Sequence, residues 1–114
     1  MKIIEKNITT SELKEMSGKM FGNLVKAVID VQKEIMAVDA ELHSDEEALL
    51  LENGSEQSNL WGINIYPEFF GKDDFIEFDS MINLRPSQNN RSRGVDDPEM
   101  RKKILKLTNK LILG

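Results

Sequence analysis

In "LVKAVIDVQKEIMAVDAEL", residues 24–42, apolar side chains recur at every second position, the repeat of a half-buried strand. The stretch reads as a hairpin whose register can be checked internally. With Lys33 and Glu34 at the turn, the opposed pairs are Val31–Met36, Ile29–Val38, Ala27–Ala40 and Val25–Leu42, all apolar and on one face. Lys26 then meets Glu41 on the other face, an opposite-charge match. A Lys-Glu turn lacks the Gly or Asn that a tight turn prefers, so a longer loop with a bulge is expected there.

Two further stretches alternate. "LWGINIY" turns Trp61, Ile63 and Ile65 inward and stops at Pro67, and "FIEFDSMINLR" turns Ile76, Phe78, Ser80, Ile82 and Leu84 inward. "KIIEKNI" at the start of the chain reads as a short edge strand. Helical spacing occurs twice. Thr9 and Glu12 have capping-box spacing ahead of Leu13, Met16 and Met20, which predicts a helix over roughly residues 10–21 with Gly22 near its end. "DDPEMRKKILKLTNKLILG" begins with Asp96 or Asp97 as a cap and Pro98 at the first helical position. Met100, Ile104, Leu107 and Leu111 form its buried stripe. "HSDEEALLLENGS" reads two ways. Ser44 with Glu47 has capping-box spacing for a short helix, while Ala48–Glu52 can be a strand entering an Asn-Gly turn; the strand is the preferred reading.

These elements predict an α+β fold. A largely antiparallel sheet of four to six strands carries an N-terminal and a C-terminal helix on one face and leaves the other face wet. With 114 residues the chain is expected to form a single domain, residues 1–114, burying about two thirds of its unfolded surface. Cysteine is absent, which excludes disulfides, thiol catalysis and cysteine-ligated zinc and suits a reducing cytoplasm. No unbroken apolar run exceeds four residues, and "MKIIEKNITTSELKE" lacks a signal-peptide core. A cytoplasmic location and no membrane association are expected.

Charge is polarised along the chain. The net charge is −5, which argues against nucleic acid as a partner. Between Lys33 and Lys72 stand nine acids and no Lys or Arg; between Asp79 and Asp96 stand three arginines and no acid.

Three groups could carry chemistry. If the second hairpin strand runs past Leu42, then Asp39, Glu41, His43 and Asp45 share a face, where carboxylates and an imidazole could hold a divalent metal or share a proton. The spacing matches no metal motif, and a solvent-facing strand surface is polar anyway. His43 is the single histidine and the natural base at neutral pH, with Asp45 and Glu47 beside it. The loop "RPSQNNRSRG" offers Arg85, Asn90, Arg91, Ser92 and Arg93 before a helix N-terminus, a set able to grip phosphate or carboxylate. Asp96 and Asp97 would repel an anion at that helix start, and the arginines could instead pair with Glu77 or Asp79. Tyr66, Phe69 and Phe70 anchor a loop or form an exposed patch. No phosphate-binding loop, nucleophile elbow, zinc-protease helix or dinucleotide fingerprint is present, and no cofactor is expected.

The stretches "AELHSDEEALLLENGS", "LWGINIYPE" and "IEFDSMINLRPSQNNRSRGVDDPEMRKKI" resemble a small prokaryotic family of conserved hypothetical proteins, a domain of unknown function. The resemblance spans nearly the whole chain and implies no particular activity, cofactor or partner. The family pattern places Gly in the hairpin turn where this chain has Glu34, and tends to place Gly before the Asn-Arg-Ser triplet, where this chain has Asn89–Asn90.

Two functions are therefore expected to compete. The first is a non-enzymatic interaction or regulatory module whose polarised surface recognises a protein partner or a second copy of itself. The second is a small enzyme or anionic-ligand-binding protein, which requires His43 and the Arg85–Arg93 loop to meet in space.

Overall fold

A computed structural model describes residues 1–114. Five strands form one antiparallel sheet in the order β1-β4-β3-β5-β6: β1 (Lys2–Ile4), β3 (Val25–Asp30), β4 (Ile35–Val38), β5 (Leu60–Ile65) and β6 (Ile76–Glu77). A separate parallel pair, β2 (Ile8–Thr9) with β7 (Ile112–Leu113), clasps the two ends of the chain. Three helices complete it: α1 (Thr10–Lys19), α2 (His43–Glu52) and α3 (Pro98–Leu111). The class is α+β.

The first face follows the predicted pattern. Val25, Ala27, Ile29, Met36, Val38, Trp61, Ile63 and Ile65 share one core with Leu13 of α1 and Ile104, Leu107 and Leu111 of α3. Local signals start both helices. Thr9 Oγ1 accepts from the Glu12 amide at 3.2 Å, and Asp97 accepts from the Glu99 amide at 2.9 Å with Pro98 behind it.

The hairpin keeps its facing but not its register. Ala27 opposes Val38, and Ile29 opposes Met36, a displacement of two residues from the expected pairs. Two is the period of the strand, so every inward side chain stays inward. The cause is the turn. Asp30 is fully buried, and its Oδ1 accepts from the Gln32 and Lys33 amides at 2.9 Å each, which closes a longer loop. Glu34 sits at φ 58° and Asn89 at φ 60°, left-handed backbone that favours glycine.

The second face corrects the expectation of a wet sheet. Residues 43–52 are helix, not strand, and α2 lies across this face with Leu50 buried against Val28, Ala37 and Leu60. Strand β4 ends at Val38, and Asp39 turns away at φ 72°. The row Asp39, Glu41, His43 and Asp45 therefore never forms, since neighbours on a helix are three or four apart rather than two. The last predicted strand is also shorter than its alternation suggested. After Glu77 the chain leaves the ladder, and Ser80 caps a 3₁₀ turn at Met81–Asn83.

Candidate functional site

The loop of three arginines is largely internal scaffolding. Arg85 is buried, its guanidinium donating to the carbonyls of Gln57 and Leu60 and lying 4.2 Å above the Trp61 ring. Burial lowers its pKa, and the nearby Glu47 carboxylate opposes this. Asn90 is buried as well. Its Nδ2 donates to Asn83 O at 2.7 Å and Gly94 O at 2.8 Å, and its Oδ1 accepts from the Asp96 amide at 2.8 Å. At the tip, Asp96 accepts from the Ser92 hydroxyl and then the Arg91 amide, which together hold its carboxyl below the usual carboxylate range. Arg93 Nε donates to Asp79 Oδ1 at 2.8 Å. Arg91 alone of the three keeps an exposed side chain with no acidic partner within ion-pair distance.

Beneath this loop Asn83 takes the place of a sixth strand. Its side-chain amide accepts from Gly62 N at 2.8 Å and donates to Gly62 O at 3.0 Å. The approach needs glycine, because a Cβ at position 62 would stand 2.5 Å from Ser80 Cβ. The loop 79–82 is thereby drawn against the second face beside the start of α2.

Between them opens a cleft of about 410 Å³. Its floor is a row of three side chains in register across three strands. Lys26 of β3 opposes Asn64 of β5, and Asn64 opposes Glu77 of β6. Asn64, only 7% exposed, donates to Glu77 Oε1 at 2.8 Å, while its own Oδ1 is buried without a partner. Tyr66 donates to the same Glu77 oxygen at 3.0 Å; burial and this bond raise the phenol's pKa and keep it a donor. Ser80 and Arg93 wall one side, and His43 and Ser44 the other. Leu42 and Met81 stand exposed at the rim.

His43 is the first residue of α2 and only 8% exposed. Its Nε2 lies 2.8 Å from the carbonyl of Ile63, which can only accept, so Nε2 carries the hydrogen. Burial lowers the imidazole's pKa, and the Lys26 and Arg93 charges add to this; the Ile63 bond and Asp79 oppose it. The neutral ring leaves Nδ1 as a lone-pair acceptor with no hydrogen bond from the protein. Leu42 supplies no side-chain cap; the Asp45 amide bonds back to Leu42 O, and the His43 and Ser44 amides have no protein acceptor at the same place.

The structure thus brings two of the expected residues, His43 and Arg93, to one cleft. Glu47 lies near Arg85, outside the cleft lining, Asp45 is exposed, and Asn90 is enclosed in the loop. No three acidic or histidine side chains converge as a metal site would need. Lys26, Asn64, Glu77 and Asp79 were not singled out as a site from sequence. The available signal was Asn64, the one polar residue in the otherwise apolar strand Leu60–Ile65. No curated protein and no solved structure matches this chain. A family profile described as a protein of unknown function, DUF5674, matches residues 2–111, and the chain belongs to that family.

Proposed function

We propose that this chain is a cytoplasmic, non-enzymatic binding module that holds a small charged molecule in the cleft between α2 and the 79–82 loop. One observation carries the reading. His43, only 8% exposed, lines the cleft with a ring nitrogen that bonds to no protein group, and Asn64, which shares that lining, has a buried Oδ1 with no partner. Buried polar atoms are ordinarily satisfied, and unsatisfied ones are retained where a ligand completes them. The cleft's volume lies within the range of small-molecule sites, roughly 300–1,000 Å³. A protein partner is the second reading, favoured by Phe69 and Phe70, each 41% exposed, on the turn that packs against α1.

Thermal melts with a panel of carboxylates, phosphates, amines and amino acids test the proposal. A ligand at 100 times its Kd adds about 2.7 kcal/mol of stability, so a true hit raises Tm by several degrees. The hit is expected to lose most of its effect in Lys26→Met. No shift across the panel, or equal shifts in both proteins, overturns the reading.

A further inference from the structure

The charges of the cleft narrow the class of ligand, and this step rests on the proposed binding function. Two cations and two acids line it, Lys26 and Arg93 against Glu77 and Asp79. A simple anion would meet two carboxylates there, and a simple cation would meet an ammonium and a guanidinium; neither is favoured by a site of balanced charge. The charges are also ordered. Lys26, Asn64 and Glu77 stand in one cross-strand row, and adjacent strands lie about 4.8 Å apart, so the backbone positions carrying the positive and negative ends are about 10 Å apart. Each end has helpers of matching sense. Lys26 has no hydrogen-bonded partner, its Nζ lies 5.0 Å from the centre of the Phe21 ring, and it shares the cleft lining with His43 and Ser44 at the uncapped start of α2. At the other end, Asn64 Oδ1 has no donor, and Glu77 receives both of its bonds on Oε1, which leaves Oε2 open. His43 Nδ1 adds a further acceptor.

The geometry points to a small zwitterion, of amino-acid to dipeptide size, as the ligand of this cleft. Its carboxylate lies toward Lys26 and the first amides of α2, and its ammonium lies toward Asn64 and Glu77. Leu42 and Met81, exposed at the rim at 54% and 63%, suit an apolar side chain on that ligand. Hydrogen bonds to charged groups are worth about 1.5–3 kcal/mol, so removing either charge weakens binding about tenfold or more.

Calorimetric titration with L-leucine and glycyl-L-leucine tests this, alongside the N-acetylated form and the C-terminal amide of each. Both capped series are expected to bind at least tenfold more weakly than the parent compounds. Glu77→Gln, which keeps acceptors for Asn64 and Tyr66, is expected to abolish the preference for a free ammonium while retaining binding of the N-acetylated forms. If N-acetylated compounds bind as well as their parents in the wild-type protein, or amides do, the zwitterion assignment is wrong while a binding cleft stands. If none of these compounds binds but a phosphate, simple carboxylate or simple amine does, the assignment is again wrong and the cleft again stands. If neither these compounds nor the wider panel binds, both fall.

Discussion

Glu46 sits completely buried in α2, and neither of its carboxyl oxygens finds a hydrogen-bond partner. Desolvation dominates its behaviour and pushes its pKa up to about 10; the Ala40 backbone, near the carboxyl but outside good hydrogen-bond geometry, and the Lys26 charge only temper the effect. The side chain is therefore a neutral acid at pH 7. Its folded pKa exceeds the unfolded value of 4.5, so its stabilising contribution is complete below pH 4.5 and is lost as pH rises toward 10. The loss runs at about 1.4 kcal/mol per pH unit within that window, about 3 kcal/mol by pH 7. Glu46→Gln removes the titration while keeping the shape. Urea denaturation is expected to find the variant equal to wild type near pH 4 and more stable by a few kcal/mol at pH 8. Parallel pH profiles for the two proteins would contradict the assignment. His43 does not confuse this comparison, because both proteins contain it.

The same glutamate explains why α2 was hard to read at the level of elements. A surface helix announces itself by an apolar stripe, and here the pattern is inverted: Glu46 is buried while Leu42 and Leu51 are exposed. "ALLLE" then looks like a strand as easily as a helix. Unambiguous local chemistry is legible in the residues themselves. The Thr9–Glu12 box and the Asp97-Pro98 start each fixed a helix, and alternation gave the correct inward face for β3, β4 and β5. The hairpin register was missed because a buried Asp30 side chain closes the turn, a three-dimensional bond that no alternation reveals. "FIEFDSMINL" alternates like a strand, yet β6 stops at Glu77 because Asn83 pairs with Gly62 in place of a neighbouring strand. That substitution has a direct consequence. Gly62→Ala places a Cβ against Ser80, and overpacking of this kind costs about 1–3 kcal/mol. Equilibrium denaturation is expected to show a loss of that size; a variant as stable as wild type would contradict the close approach.

Across the whole molecule, the charge separation along the chain folds inward. Arg85 is enclosed against Trp61, Arg93 bonds to Asp79, and Lys110 reaches Glu34 at 2.7 Å. The latter two pairs are solvent-exposed and screened by water, so they organise the surface more than they stabilise it. What gives the molecule a candidate site is the docking of α2 on the second face of the sheet, and His43 is the hinge of that arrangement. Its sequence marks it as the natural neutral-pH base, but its Nε2 anchors the helix to β5, while Nδ1 bonds to no protein group. Because burial lowers its folded pKa below 6.5, it stabilises the fold above about pH 6.5, and that contribution is lost as pH falls, opposite in sense to Glu46. It is also the single histidine of the chain, so its ring nitrogens give one unambiguous set of signals. Long-range ¹H–¹⁵N NMR across a pH titration reads both its tautomer and its pKa. A neutral ring at pH 7, protonated on Nε2 and titrating below 6.5, is the expected result. A hydrogen on Nδ1, or a free-solution titration near 6.5, would mean that α2 does not dock on the Ile63 carbonyl and that the cleft is not formed as described.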